Sequence, residues 1–293
     1  MPGWLKHSPD VGFTIADLVA PLFIVVSAFT LGPALHRRCE ALGVRAGVSW
    51  LVTRSLALIG VGAVISAGQW IFLPPAPGTD PTWGVLQAIG AASLLTGTVI
   101  LLSPRIRLVV GLVVLAAYEW LLNTFWLDTV RNAVHNGLLG SLAWGGLMIL
   151  ATAVADGWRA SAPHRREVAF LVTVGVVSTC TAVALSVAFP IAKARASATY
   201  MLLSLGLSLL LLALVEAALA PRPQAVMWLQ RVGKRPLAMY LAHLVLLAPL
   251  TLGVAALYAD ASPPVTLTEA ALLATALVVL ASALDRRGSA RRL

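Results

Sequence analysis

The sequence predicts an all-α, polytopic membrane protein: a helical bundle of about nine transmembrane helices, N-terminus outside and C-terminus in the cytoplasm. Three observations carry that expectation. The chain is 59% hydrophobic and only 11% charged, with a mean hydropathy of +0.89, too little charge to cover a soluble domain of 293 residues. Its apolar runs are about 20 residues long, enough for a helix to cross a hydrocarbon core of about 30 Å, and they lack the alternation of outer-membrane barrel strands. Lys and Arg are sorted between alternate loops, as orientation in a membrane requires.

In chain order, spans are expected at Thr14–Leu35, Val48–Leu73, Gly84–Ser103, Leu108–Leu127, Leu138–Gly157, Val168–Pro190, Thr199–Ala220, Pro236–Tyr258 and Leu267–Leu284. One set of alternate connections collects Arg37, Arg38 and Arg45; Arg105 and Arg107; Arg159, Arg165 and Arg166; Arg222, Arg231, Lys234 and Arg235; and Arg286, Arg287, Arg291 and Arg292. The other side holds Lys6, Arg131, Lys193 and Arg195, while Arg54 falls inside a span. The basic side is therefore assigned to the cytoplasm. The net charge of +9 reads as a topology signal, and nucleic acid is not expected as a partner. Cys39 in a cytoplasmic loop and Cys180 in mid-membrane make no disulfide framework, and no cleavable signal peptide is evident. Short loops favour a single domain over residues 1–293, with the apolar piece Ala225–Leu229 of the longest cytoplasmic connection lying along the interface.

An ionisable residue inside a membrane helix costs at least about 2.5 kcal/mol on insertion scales, so each one calls for an explanation. Toward the outer side lie His7, Asp17, Gln87, Glu119, Asn123, His135, Lys193, Arg195 and Tyr200; toward the cytoplasm lie Arg54, Tyr240 and His243, with Lys234 and Arg235 at the boundary. Each has a plain structural reading. Asp17 stands in a first helical turn, where a carboxylate caps free N–H groups. Glu119 suits a buried acid bonded to a neighbouring helix. Arg54 can snorkel or pair with an acid. His243 suits helix packing, Lys193 and Arg195 suit solvated loop charges, and His7 alone carries no signal. No His or Cys pair has metal-ligand spacing, and HExxH, GxSxG and P-loop patterns are absent, so no metal is expected.

Five segments, in order, give the chain a family likeness. Lys6–Phe23, reading KHSPDVGFTIADLVAPLF, resembles a signature of a His, a short loop, then a Thr-x-x-Asp-Leu-Val-x-Pro helix start followed by Phe. Gly84–Gly90 (GVLQAIG) resembles a Gly-Val-Leu-Gln-Arg-Ile-Gly helix, and Asn136–Leu142 (NGLLGSL) a Gly-Leu-Leu-Gly-Thr-Leu helix start. Phe189–Lys193 (FPIAK) followed by Ser197–Tyr200 (SATY) is similar to a Pro-Ile-x-Lys…Trp-Thr-Ser-Tyr loop, and Val232–Tyr240 with His243 resembles a penultimate helix. These patterns are those of the heparan-α-glucosaminide N-acetyltransferase-like transmembrane acyltransferases. The chain departs from them in having Ala88 in place of the Arg, in lacking the Trp after His7, and in replacing the Trp after Lys193. The family's additional first helix, with its Asp-x-x-Arg-Gly start, has no counterpart, so that helix is expected to be missing.

The resemblance implies transfer of an acetyl or other acyl group from cytoplasmic acyl-CoA, a co-substrate, to an amino-sugar or related glycan acceptor on the outer side. His7 would act as general base or transient acyl carrier, oriented by Asp17. Gln87, Lys193 and Tyr200 are candidates to stabilise the oxyanion. Arg54, Lys234, Arg235, Tyr240 and His243 are candidates to hold acyl-CoA. Membrane lipid is a further partner, and a homodimer is left open. Heavy use of Ala, Val, Leu, Gly and Arg points to a GC-rich bacterial source, hence to the bacterial cytoplasmic membrane. Two rival readings remain. A transporter would also place ionisable residues in the membrane, but predicts paired broken helices and internal repeats, which the sequence lacks. A catalytically inactive subunit of the same family fits the Ala88 substitution and the missing helix, against the retained His7 and Asp17.

Overall fold

The computed structural model describes residues 6–72, 78–219, 227–253 and 262–290. The described residues form helices and short turns, with two isolated parallel bridges, Gly12 to Ala192 and Asp80 to Ala133. Among the described residues, seven helices are long and apolar enough to cross a membrane: Ile15–Leu42, Val44–Phe72, Pro104–Asn132, Val134–Ala160, His164–Leu185, Ala198–Leu219 and Pro263–Arg286. The expected spans at Gly84–Ser103 and Pro236–Tyr258 correspond to shorter apolar helices, Val85–Gly97 and Pro236–Ala248. The expected span ends at Leu73, Ala220 and Tyr258 lie outside the described residues, as do Arg222, Arg291 and Arg292.

The chain separates into two compact units. The larger, His7–Leu214, begins with α1 (Ile15–Leu42), which runs past the end of its apolar stretch because no breaker intervenes until Gly43. There φ is +84°, a conformation glycine adopts without cost, and the Gly43 N–H closes the helix on Cys39 O at 2.9 Å. Helix α2 (Val44–Phe72) returns, with the Arg38 guanidinium 4.5 Å above the Trp50 ring. Then come α3 (Val85–Gly97) and α4 (Pro104–Leu121), which continues through a π turn, Leu122–Trp126, into α5 (Leu127–Asn132). A 3₁₀ turn at Val134–Asn136 leads to α6 (Gly137–Ala160), followed by α7 (His164–Leu185) and α8 (Ala198–Leu219), whose last residues pass into the second unit.

Helix α6 is the axis of the larger unit. It packs on α1, α3, α4 and α7, and 83% of its apolar window is buried, against 17% for α2 and 22% for α7. Its sequence explains the position. Small residues on every face let backbones approach without the side-chain bulk that lipid would otherwise replace. The same device recurs across α2 and α3, where a Cβ on Gly90 would lie 2.7 Å from Ser55 O. One end of the axis is clamped by charge. Arg107, only 2% exposed, pairs with Asp156 and donates to Leu102 O at 3.1 Å, while Arg159 pairs with Asp156 and donates to Phe29 O, tying α4, α6 and α1 together. Arg107, expected as a loop charge, is thus a buried helix tie.

In the smaller unit, α11 (Pro263–Ala290) packs on α9 (Met227–Gly233) and α10 (Pro236–Gly253). Asp285 of α11 pairs with Arg231 at 3.8 Å and with Lys234 at 3.6 Å. The Tyr240 and His243 rings lie 6.5 Å apart on one face of α10.

Candidate active site

Three loops converge at one end of the larger unit: the segment before α1, the 133–137 turn before α6, and the 190–197 segment before α8. Backbone bonds join the first to the third, with Gly12 N–H donating to Ile191 O at 2.8 Å. The Arg195 guanidinium grips the Asp10 carboxylate with Nε at 3.0 Å and Nη2 at 2.6 Å, and Arg131 adds a contact at 3.3 Å. Tyr118 OH donates to Arg195 O, and Asn136 Nδ2 donates to Lys193 O at 2.9 Å. The 190–197 segment is thus held from three directions.

The Arg195 bond holds the Asp10 carboxyl below its usual range. The stabilisation is therefore present above the ordinary carboxylate pKa and lost as pH falls through the lowered one. Asp10→Asn is expected to cost about 1 kcal/mol, since the pair is partly solvated, read as a lower thermal midpoint at neutral pH that converges with wild type in acid.

Asp17 sits at the centre of this assembly, fully buried, with its two oxygens doing different things. Oδ2 accepts from Thr14 N–H (2.9 Å), Thr14 Oγ1 (3.0 Å), Ser8 Oγ (3.0 Å) and Ser8 N–H (3.2 Å), fixing both the first turn of α1 and the incoming chain. Oδ1 lies 2.8 Å from His7 Nδ1 and 3.6 Å from Lys193 Nζ. Lys193 Nζ is in turn 2.8 Å from His7 Nδ1. One ring nitrogen cannot donate to Asp17 and accept from Lys193 at once, so the triangle has two proton arrangements. With Nδ1–H directed at Asp17, Nε2 is left as a base. With Lys193 donating to Nδ1, Nε2 carries the proton. Burial pulls the Lys193 ammonium below the ordinary lysine range, with Asp17 opposing the shift.

His7 and Lys193 open onto a cleft of about 250 Å³, lined also by Ser8, Arg131, His135 and Asn136. His135 and Asn136 reach it through left-handed backbone, φ +48° and +68°, a conformation that costs non-glycine residues on the order of 1 kcal/mol each. The Asn136-Gly137 pair is the residue pattern that would have marked this turn; no site role was expected of His135. Gln87 and Tyr200 do not line the cleft. Gln87 Oε1 accepts from Gly84 N–H (2.6 Å) and Ser66 Oγ (3.2 Å), and Nε2 donates to Thr82 O (2.7 Å). Tyr200 OH, fully buried, donates to the Asp17 backbone carbonyl at 2.7 Å. Arg54 lies on α2 with Nη1 buried and no hydrogen-bond partner among the described residues. Lys234, Arg235, Tyr240 and His243 belong to the smaller unit.

A family model described as heparan-alpha-glucosaminide N-acetyltransferase, catalytic, matches residues 5–157, just over half of the chain. The chain belongs to this family. No curated protein matches it. The heparan-α-glucosaminide N-acetyltransferase match takes in His7, Asp17, Arg54, Gln87 and the His135–Asn136 turn, and ends before Lys193. Lys193 and Tyr200 are therefore joined to the family's catalytic region by geometry: one completes the triangle with His7 and the other braces Asp17. The family and the apolar helices together make this an integral membrane protein of acetyltransferase type.

Proposed function

We propose that the protein transfers an acetyl or other acyl group from cytoplasmic acyl-CoA to an amino sugar or related glycan on the outer side of a bacterial cytoplasmic membrane. Nine crossings, with the two shorter apolar helices included, and a cytoplasmic C-terminus follow from the same reading. The observation that carries it is the His7–Asp17–Lys193 triangle at the mouth of the cleft. With Asp17 holding Nδ1–H, His7 Nε2 takes the proton from the acceptor nitrogen as that nitrogen attacks the thioester carbonyl. The C–N bond forms, the C–S bond breaks, and CoA leaves as a thiolate that is then protonated. Lys193 is the group best placed to offset the negative charge on the carbonyl oxygen. Gln87 and Tyr200 act by positioning. Arg54, Lys234 and Arg235, with Tyr240 and His243, are assigned to acyl-CoA on the resemblance, although Lys234 is already paired with Asp285.

The test is transfer of radiolabel from acetyl-CoA to a panel of amino sugars by the purified protein in detergent. Label in an acceptor establishes the reaction. Tight acetyl-CoA binding without transfer to any acceptor favours the inactive-subunit reading. Lys193→Met is expected to lower kcat by about 10²-fold, the effect of removing one oxyanion donor. Because the Lys193 ammonium is needed and loses its proton below the ordinary lysine range, the wild-type rate should fall at alkaline pH, and this limb should vanish in Lys193→Met.

A further inference from the structure

A second cavity, of about 470 Å³, lies on the flank of α4, α7 and α8. Its walls are hydrocarbon almost throughout, with Leu112, Leu115, Ala116, Leu185, Phe189 and Leu202 among them. One charged group sits in the wall. Glu119, 7% exposed, accepts from Asn123 Nδ2 on Oε1 (3.1 Å) and from Ala198 N–H on Oε2 (2.7 Å). A carboxylate offers about four acceptor positions, so these bonds leave room for another donor. The wall passes from α to π helix beside Glu119, and Asn123 Nδ2 also donates to the Glu119 backbone carbonyl at 2.7 Å.

The helices that form this cavity all have the length and apolarity of membrane spans. Trp120 and Phe125 are 63% and 66% exposed and pack edge to face, with centroids 5.9 Å apart. Exposed aromatic pairs of this kind suit the membrane–water boundary. A cavity that opens on such a face of membrane-spanning helices would meet lipid at its mouth.

We propose that this cavity binds a single hydrocarbon chain of a membrane lipid whose head carries a hydrogen-bond donor, hydroxyl or ammonium, received by Glu119. The apolar walls take the chain, and the carboxylate selects the head, since an anionic head would meet like charge in a poorly screened setting. The bond from Ala198 N–H ties the selecting group to the start of α8. Phe189 and Ala198 line this cavity while Lys193, between them in sequence, lines the cleft, so one segment of chain separates the two. The proposal does not rest on acyl transfer.

The test needs no turnover. The purified full chain is irradiated with alkyl-diazirine probes of one chain length bearing an alcohol, an amine or a carboxylic acid, and labelled residues are mapped by mass spectrometry. The alcohol and amine are expected to label residues 112–124 and 185–202 about tenfold more than the acid, the factor that one hydrogen bond to a charged group supplies. Ala116→Trp, which places an indole in the cavity, should abolish that labelling. Leu202→Trp gives a second reading from the opposite wall, and Val113→Trp, on an exposed position of α4, should leave labelling intact. Glu119→Gln keeps an acceptor for Ala198 N–H and should raise labelling by the acid to the level of the alcohol. Equal labelling by the three probes in wild type, or undiminished labelling in both filled variants, would mean that lipid merely coats this face.

Discussion

Replacing His7 by Ala is expected to lower acyl transfer by about 10⁴-fold, at the upper end of what a positioned general base contributes, with the fold intact. Both halves follow from the geometry. His7 is 60% exposed at the mouth of the cleft, so its removal leaves no cavity in a packed core. Its Nδ1 meets Asp17 Oδ1 and Lys193 Nζ, and when the ring is removed Lys193 remains beside the carboxylate to neutralise it. The measurement is the initial rate of label transfer, with thermal unfolding in detergent as the control for integrity. A variant retaining a tenth of the wild-type rate would remove His7 from the chemistry. Mixing wild type with labelled acetyl-CoA in the absence of acceptor then separates the two roles open to the imidazole. Label retained on the protein through His7 marks an acyl carrier, and its absence marks a base.

Asp17→Asn should be nearly as damaging to rate, again about 10⁴-fold, by a route that leaves the protein folded. The Oδ2 position receives donors from Ser8 and Thr14. An asparagine must present its oxygen there, because an NH₂ group would face four donors. Its NH₂ is then forced toward His7 Nδ1, to which it donates. The imidazole proton moves to Nε2 and the base disappears. Asp17→Ala makes the contrast, since it orphans every donor around Oδ2 and should destabilise the protein by about 3 kcal/mol. Loss of rate with a preserved midpoint in Asn, and loss of both in Ala, identify Asp17 as a residue that sets the tautomer. Equal destabilisation in the two variants would reduce it to a helix cap.

The legible part of this protein was what neighbouring residues decide. Apolar length was enough to find the helices, although two of the nine expected spans are shorter helices, and the eleven residues from His7 to Asp17 lie in one short loop and turn, so their partnership could be read locally. The plain reading of Asp17 as a first-turn cap holds on Oδ2, and the proposed catalytic role falls to the other oxygen, Oδ1. Gln87 was expected to face the substrate, but it belongs to an equally local pattern, a side chain three residues into a helix bonding back to Gly84. Tyr200 was expected among the oxyanion candidates, whereas its hydroxyl meets the Asp17 backbone carbonyl, a partner that carries no residue-type signal. The Asp10–Arg195 pair and the cleft-lining His135 depend on which loops meet, and that is decided by the packing of α6 against its neighbours. No spacing rule along one chain reports that.

The junction of Gly12 with Ile191, and of His7 with Lys193, spans some 180 residues of chain. A protein made from its N-terminus onward therefore carries His7 and Asp17 into the membrane long before their third partner exists. While the nascent chain ends anywhere short of the 190–197 segment, the imidazole has its carboxylate but no ammonium beside it, and the leading segment has no carbonyl to pair with. On the proposed reading, the group that offsets the charge on the carbonyl oxygen is thereby withheld until seven of the helices in the larger unit are complete and α8 is entering, so unfinished chains carry only part of the site.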